Sequence, residues 1–155
     1  MVNLGKCGLM VCISTLFLSG RVHAEKPTKP NSVTFKPLSL YFSMLHGRWE
    51  QAFSDLDSTF GGIGLGSMNG VSLFAVEGGY RRYVAGTFES GMFVSPTIAF
   101  TQASMFGVSV GVSTLSATLG GKHTFPSTFV LEGELGVIIG AGTHPGLDVG
   151  LGWAF

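Results

Sequence analysis

Hydrophobic residues recur at every second position through most of the chain, from about Val33 to the last residue. The C-terminal segment shows the alternation most clearly, where large apolar residues are separated by Asp148 and small residues. The apolar set there is Leu147, Val149, Leu151, Trp153 and Phe155. Because side chains on a strand point alternately to opposite faces, this period of two predicts β-strands and not helices.

The same alternation predicts an all-β protein with seven clear strands, and an eighth at 33–43 is inferred because a barrel whose two ends lie on the same side needs an even number of strands. The predicted segments are about 33–43, 46–53, 58–68, 71–84, 87–101, 106–125, 129–140 and 146–155. The first segment is the weakest, since Pro37 removes a backbone donor unless it lies at a bulge. Even strand numbers are typical of bacterial up-and-down barrels whose two ends lie on the same side.

The two faces of these strands differ strongly in chemistry. One face carries large residues such as Phe74, Phe88, Val94 and Leu131, and the other carries mainly Gly, Ser and Thr with isolated charges. Charged residues are only 12% of the chain, fewer than a soluble surface normally carries. We therefore expect an inverted barrel that turns its apolar face to lipid, with small and ion-paired residues inside.

Hairpin geometry places acids opposite bases on the inner face. A three-residue turn at 84–86 sets Arg81 opposite Glu89, and another at 126–128 sets Lys122 opposite Glu132. Since an unpaired buried charge is costly, these pairs are expected to fill a pore-free interior. Four more charged residues are candidates for this network, with no partners assigned from sequence: Arg48, Glu50, Glu77 and Glu134.

The alternation changes phase at two places. A change near 44–47 predicts a tight turn or a bulge, and a second near Thr114 predicts a bulge with an outward extension of a 20-residue run. The remaining connections are expected to be short.

The N-terminal segment has the features of an export signal. Lys6 precedes an apolar run, and Val22-His23-Ala24 matches a small-residue cleavage site. The chain is thus expected to comprise a cleaved signal peptide at 1–24, an extended polar leader at 25–32 and the barrel at 33–155. An uncleaved anchor helix is the alternative, although the apolar run is short for a bilayer.

The final segment GLDVGLGWAF resembles the last strand of bacterial outer-membrane barrel proteins, and the size of the chain resembles the small OmpA/OmpX-type barrels. The resemblance implies location in the outer membrane and contact with its lipid. It also implies that the barrel-assembly machinery recognises the chain end through Val149, Leu151, Trp153 and Phe155.

Composition argues against several other functions. Basic and acidic residues balance at 9 each, so nucleic acid is not an expected partner. The histidines lack metal-ligand spacing, and the GGIGLG run at 61–66 lacks the ending of a phosphate loop. No cofactor, metal or catalytic residue is therefore expected.

The sequence predicts an integral outer-membrane barrel with a plugged polar interior and a structural or surface-interaction role. Two alternatives stay open. One is a lipid-modifying enzyme similar to the outer-membrane lipid A deacylase, although Lys122-His123-Thr124 lacks the His-x-Ser pattern of that family. The other is a soluble exported barrel of lipocalin type.

Overall fold

Eight antiparallel strands form a closed barrel in a computed structural model that describes residues 27–155. The predicted signal peptide and the first two residues of the leader lie outside the described residues. The strands are β1 (Asn31–Phe35), β2 (Met44–Ala52), β3 (Asp57–Met68), β4 (Val71–Gly86), β5 (Ser90–Met105), β6 (Val108–Thr124), β7 (Phe129–Ile139) and β8 (Thr143–Ala154). Each strand pairs with the next, and β1 pairs with β8. The prediction of an eight-stranded antiparallel barrel is confirmed.

The barrel has two distinct ends. We call basal the end at which Asn31 and Phe155 exchange backbone hydrogen bonds of 3.0 and 2.9 Å, and apical the opposite end. The β2–β3, β4–β5 and β6–β7 turns are basal, and the β3–β4, β5–β6 and β7–β8 turns are apical. No helix within residues 27–155 is long and apolar enough to cross a bilayer.

The first predicted strand is shorter than expected and begins earlier. β1 ends at Phe35, and a 3-10 helix over Pro37–Phe42 replaces the rest of the 33–43 segment. Proline at its first position suits a helix start because its missing N–H needs no partner there. The helix ends at Ser43 in the left-handed conformation (φ 55°). This short helix, and not a bulge within a strand, produces the phase change before 44–47.

The bulge predicted near Thr114 is wrong. β5 and β6 pair in one unbroken register from Ser90↔His123 to Met105↔Val108. The register shift lies instead on β4, between Tyr83 and Ala85.

The β5–β6 hairpin extends apically beyond β7, whose pairing with β6 ends at Leu115↔Ile139. Above this level the outward positions of β6 become small and polar, with Ser113 followed by Gly111 and Ser109. The apolar residues Val108, Val110 and Val112 move to the face that continues the inner wall. The alternation of apolar and polar residues on β6 therefore changes phase because the surroundings of the strand change above Leu115, while the strand itself is continuous.

Apolar side chains point outward and charged ones inward. Among the described residues, 31 large apolar side chains are exposed, whereas only seven apolar residues are buried. Phe74, Val94 and Leu131 are 40%, 36% and 42% exposed, while Arg81 and Lys122 are 0% and 3% exposed. A soluble barrel has the reverse arrangement.

One outward prediction is wrong. Phe88 is fully buried, because the strand pair ends at Gly86↔Gly91 and the turn between them folds the ring under the barrel.

Candidate functional site

Glu50 is the centre of a buried group of charges in the basal half of the barrel. Its carboxylate lies 2.9 Å from Arg81 Nη1 and 3.0 Å from Lys122 Nζ. It also accepts hydrogen bonds from the Ser58 hydroxyl at 2.5 Å and the Tyr83 hydroxyl at 3.2 Å. Five donors from four different strands, with Ser32 as the fifth at 3.5 Å, therefore surround one acid.

Two further glutamates on β7 extend this group. Arg81 Nη1 donates to Glu132 at 2.8 Å, and Arg48 Nη1 donates to Glu134 at 2.8 Å. Since Glu132 and Glu134 are two positions apart on one strand, both carboxylates face the interior. The two arginines therefore connect β2 and β4 to β7 across the bore.

A second part of the network lies nearer the apical end. Arg48 Nε donates to Glu77 at 2.7 Å, and Lys36 Nζ lies 2.6 Å from Asp148 and 3.3 Å from Glu77. His46 Nε2 is 3.6 Å from Glu77. We call the whole set the inner charge network; its members are Lys36, Arg48, Glu50, Glu77, Arg81, Lys122, Glu132, Glu134 and Asp148.

Aromatic rings cover the cations from below. Arg81 lies 4.1 Å from the ring centre of Phe93, Arg48 lies 4.2 Å from that of Phe60, and Lys122 Nζ lies 3.5 Å from that of Phe88. The negative face of a ring attracts a cation most strongly where water is excluded. The rings thus complement buried guanidinium nitrogens such as Arg81 Nε, which has no hydrogen-bond acceptor within residues 27–155.

The basal end is closed by apolar packing. Tyr83 meets Phe88 and Phe93 edge-on, with ring centres 5.9 and 5.6 Å apart, and Ala52 and Leu56 complete this basal cluster. The leader passes below it, where Pro27 is buried. Thr28 Oγ1 and the Lys29 backbone N–H both donate to Glu89. The interior is therefore filled with side chains from the basal end to the inner charge network.

The structure places the four sequence-predicted charges differently. Lys122 lies opposite Glu132, as the 126–128 turn implies, but its ammonium contacts Glu50. Arg81 and Glu89 are not brought together, because the turn is formed by 87–89 and not by 84–86. Glu89 instead accepts hydrogen bonds from Thr28 and Lys29 of the leader.

Sequence reasoning missed Lys36 and Asp148. Lys36 follows Ser32 and Thr34 at the same parity, and both of these residues are buried. The shared parity with Ser32 and Thr34 indicates an inward position for Lys36, but the assignment of 33–43 to a single strand obscured this pattern. Asp148 lies on the inner parity of β8, where its contact with Lys36 across the β1–β8 side could not be inferred without the closure of the barrel.

The residues of the expected assembly signal follow the outward face of β8. Leu151, Trp153 and Phe155 are 36%, 61% and 61% exposed, and Val149 is half-buried. Trp153 packs edge-on against Phe129, which in turn meets Phe125. Aromatic side chains thus form part of a ring around the basal end.

One polar pair lies on the outer wall. The Ser90 hydroxyl and His123 Nδ1 are 2.8 Å apart on neighbouring strands, and both residues are exposed. A serine beside a histidine is the beginning of a nucleophile–base arrangement. The nearest acid in sequence, Glu89, is already bound to Thr28 and Lys29.

Within residues 27–155, no group of three or more His, Cys, Asp or Glu side chains is placed to hold a metal ion. No protein-family model, curated protein or solved structure matches the chain.

Proposed function

We propose that this protein is an integral outer-membrane barrel with a plugged interior and a structural or surface-interaction role. One observation carries the proposal: the closed barrel exposes its large apolar residues and buries its charges. In water this arrangement would expose far more apolar surface than soluble monomers tolerate. In a bilayer the same surface is satisfied by acyl chains, and closure leaves no unpaired sheet edge around the barrel.

The inner charge network supports a stabilising role over a conducting one. Eight strands leave an interior just wide enough for side chains. Here the arginines, the glutamates and the basal cluster occupy that space. We infer that the barrel does not conduct solutes.

The chain end and the predicted signal support the location. Phe155 pairs with Asn31 at the basal end, so the resemblance of GLDVGLGWAF to outer-membrane barrels concerns a strand that closes the barrel. Outer-membrane lipid and the barrel-assembly machinery are the partners that this proposal includes. It includes no nucleic acid, cofactor or catalytic residue.

The proposal is tested with residues 25–155 refolded in phosphatidylethanolamine and phosphatidylglycerol vesicles. We expect the protein to float with the vesicles and to migrate faster on a denaturing gel before boiling than after it. A detergent-free, monodisperse chain whose migration does not change on boiling would refute the proposal and favour the lipocalin-type alternative.

A further inference from the structure

The outer wall carries a groove near the basal end, across β4 to β8. Its floor is the backbone at Gly121 and Gly133, which are paired partners on β6 and β7. Met92, Leu131 and Val149 provide apolar walls. Gly121 and Gly133 replace, at the same level of two neighbouring strands, the large residues that the outward face carries above and below them.

Neither glycine is required by the fold. A Cβ atom on Gly121 would have no neighbour closer than 4.0 Å, and one on Gly133 none closer than 3.9 Å. Neither is among the glycines with positive φ, so the backbone at both positions is compatible with a residue that has a Cβ atom. By contrast, a Cβ on the adjacent Gly120 would lie 2.7 Å from the Gly133 carbonyl oxygen. The groove is therefore open space that larger residues could have filled.

A hydrogen-bonding pair borders this groove on its basal side. Ser90 pairs with His123 in the register, one outward position below the pair of Met92 and Gly121. Their side chains share one hydrogen bond of 2.8 Å. Whichever group donates it, one hydrogen remains for an outside acceptor: the imidazole Nε2–H if serine donates, or the hydroxyl hydrogen if histidine donates.

We propose that this groove binds one acyl chain of a diacyl phospholipid, and that the Ser90–His123 pair donates to a phosphate or ester oxygen of the same molecule. The inference rests on the proposed membrane location. An apolar groove with a hydrogen-bond donor at one end fits an amphipathic ligand, because the groove contacts the apolar part of the ligand while the donor binds its polar part. The groove also continues the apolar outer face, so the acyl chain reaches it without leaving the bilayer.

The test uses residues 25–155 in phosphatidylethanolamine and phosphatidylglycerol vesicles, extracted gently into detergent for native mass spectrometry. The wild type is expected to retain one phospholipid. Gly133→Leu fills the floor, and the double variant Ser90→Ala/His123→Phe keeps a ring while removing both possible donors. Each is expected to reduce retention about tenfold, since losing contact with two methylenes or one hydrogen bond is worth about that factor.

Gly61→Leu is the matched control. Gly61 also points outward, and a Cβ there would have no neighbour closer than 3.9 Å, but it lies on β3, away from the Ser90–His123 pair. Its retention should equal that of the wild type. Equal retention by wild type and Gly133→Leu, or an equal loss in Gly61→Leu, would overturn the phospholipid site.

The two proposals fail in distinguishable ways. If the wild type does not float with vesicles, the membrane location is wrong and the lipid site is rejected with it. If all variants float and show heat-modifiable migration but none retains phospholipid, the barrel proposal stands and only the lipid site is lost.

Discussion

Glu50 Oε2 and Arg81 Nη1 lie 2.9 Å apart although β3 separates their strands. Both side chains are almost completely buried, with 2% and 0% exposure. The pair therefore connects two strands that are not neighbours in the sheet, and it neutralises two buried charges. We expect the stability of the barrel to depend on it more than on any exposed pair.

Removing the Glu50 charge should destabilise the protein strongly. Glu50→Gln leaves Arg81 and Lys122 facing an uncharged amide in a dry interior, and breaking a buried pair from one side typically costs about 3–5 kcal/mol. Urea unfolding in detergent micelles, followed by tryptophan fluorescence, measures the change. Glu89→Gln is the control, because that acid is only half-buried and contacts the leader. Similar losses in both variants would argue against a central role for Glu50.

The inward position of Phe88 has its own consequence. Phe88→Ala removes a ring from the basal cluster and from below Lys122, and a loss of about 3–5 kcal/mol is expected for a fully buried phenylalanine. Phe74→Ala removes an outward ring that is 40% exposed, so its effect should be clearly smaller. The same unfolding assay compares the two variants. A larger loss of stability in Phe74→Ala would contradict the inward position of Phe88 and the outward position of Phe74.

Replacing each of two adjacent glycines on β6 by alanine should change the stability of the barrel to very different extents. In Gly120→Ala the new methyl would lie 2.7 Å from the Gly133 carbonyl oxygen and closer still to the Phe93 ring. Overpacking of this kind typically costs about 1–3 kcal/mol. Gly121→Ala meets open space and should be neutral or nearly so. Thermal unfolding of both variants in one detergent decides the point, and equal melting temperatures would contradict this difference in local space.

Deleting Phe155 should impair assembly in cells more than stability. The residue is 61% exposed and contributes two backbone hydrogen bonds to Asn31, so the refolded barrel should lose little. If the chain end is the assembly signal, the amount in the outer-membrane fraction should fall about tenfold or more. Phe125→Ala, another exposed basal aromatic, is the control. Normal insertion of the chain that lacks Phe155 would show that this residue is not part of the assembly signal.

The alternation of residue types was sufficient to predict seven of the eight strands and most of the outward face, because a period of two is a local property, whereas the eighth strand came from the even number that a closed barrel of this kind needs. It also gave the register of the β6–β7 hairpin, where Phe125 and Phe129 flank a three-residue turn closed by Thr128 in the left-handed conformation (φ 71°). Where the turn was misplaced, at 84–86, the partner of Arg81 was misplaced with it.

The inner charge network could be predicted only as a set of candidates. Contacts such as Lys36 with Asp148, or Arg48 with Glu134, join residues 112 and 86 positions apart in sequence. They exist because the sheet closes on itself, and side-chain length decides which acid each cation reaches. Alternation along a single strand contains no information on either point.

On β6, the level at which the outward residues change from apolar to polar defines the height of the apolar outer surface. Outward residues from Leu115 to Phe125 are apolar or small except His123, and these eleven residues extend about 34 Å along a strand. At the usual strand tilt of about 40°, this run rises about 25 Å, close to the apolar band of outer-membrane barrels. In the proposed membrane location, the hairpin above Leu115 projects into water, with valines on the side that continues the inner wall. A single strand would then mark both the upper limit of the bilayer and the reach of the protein beyond it.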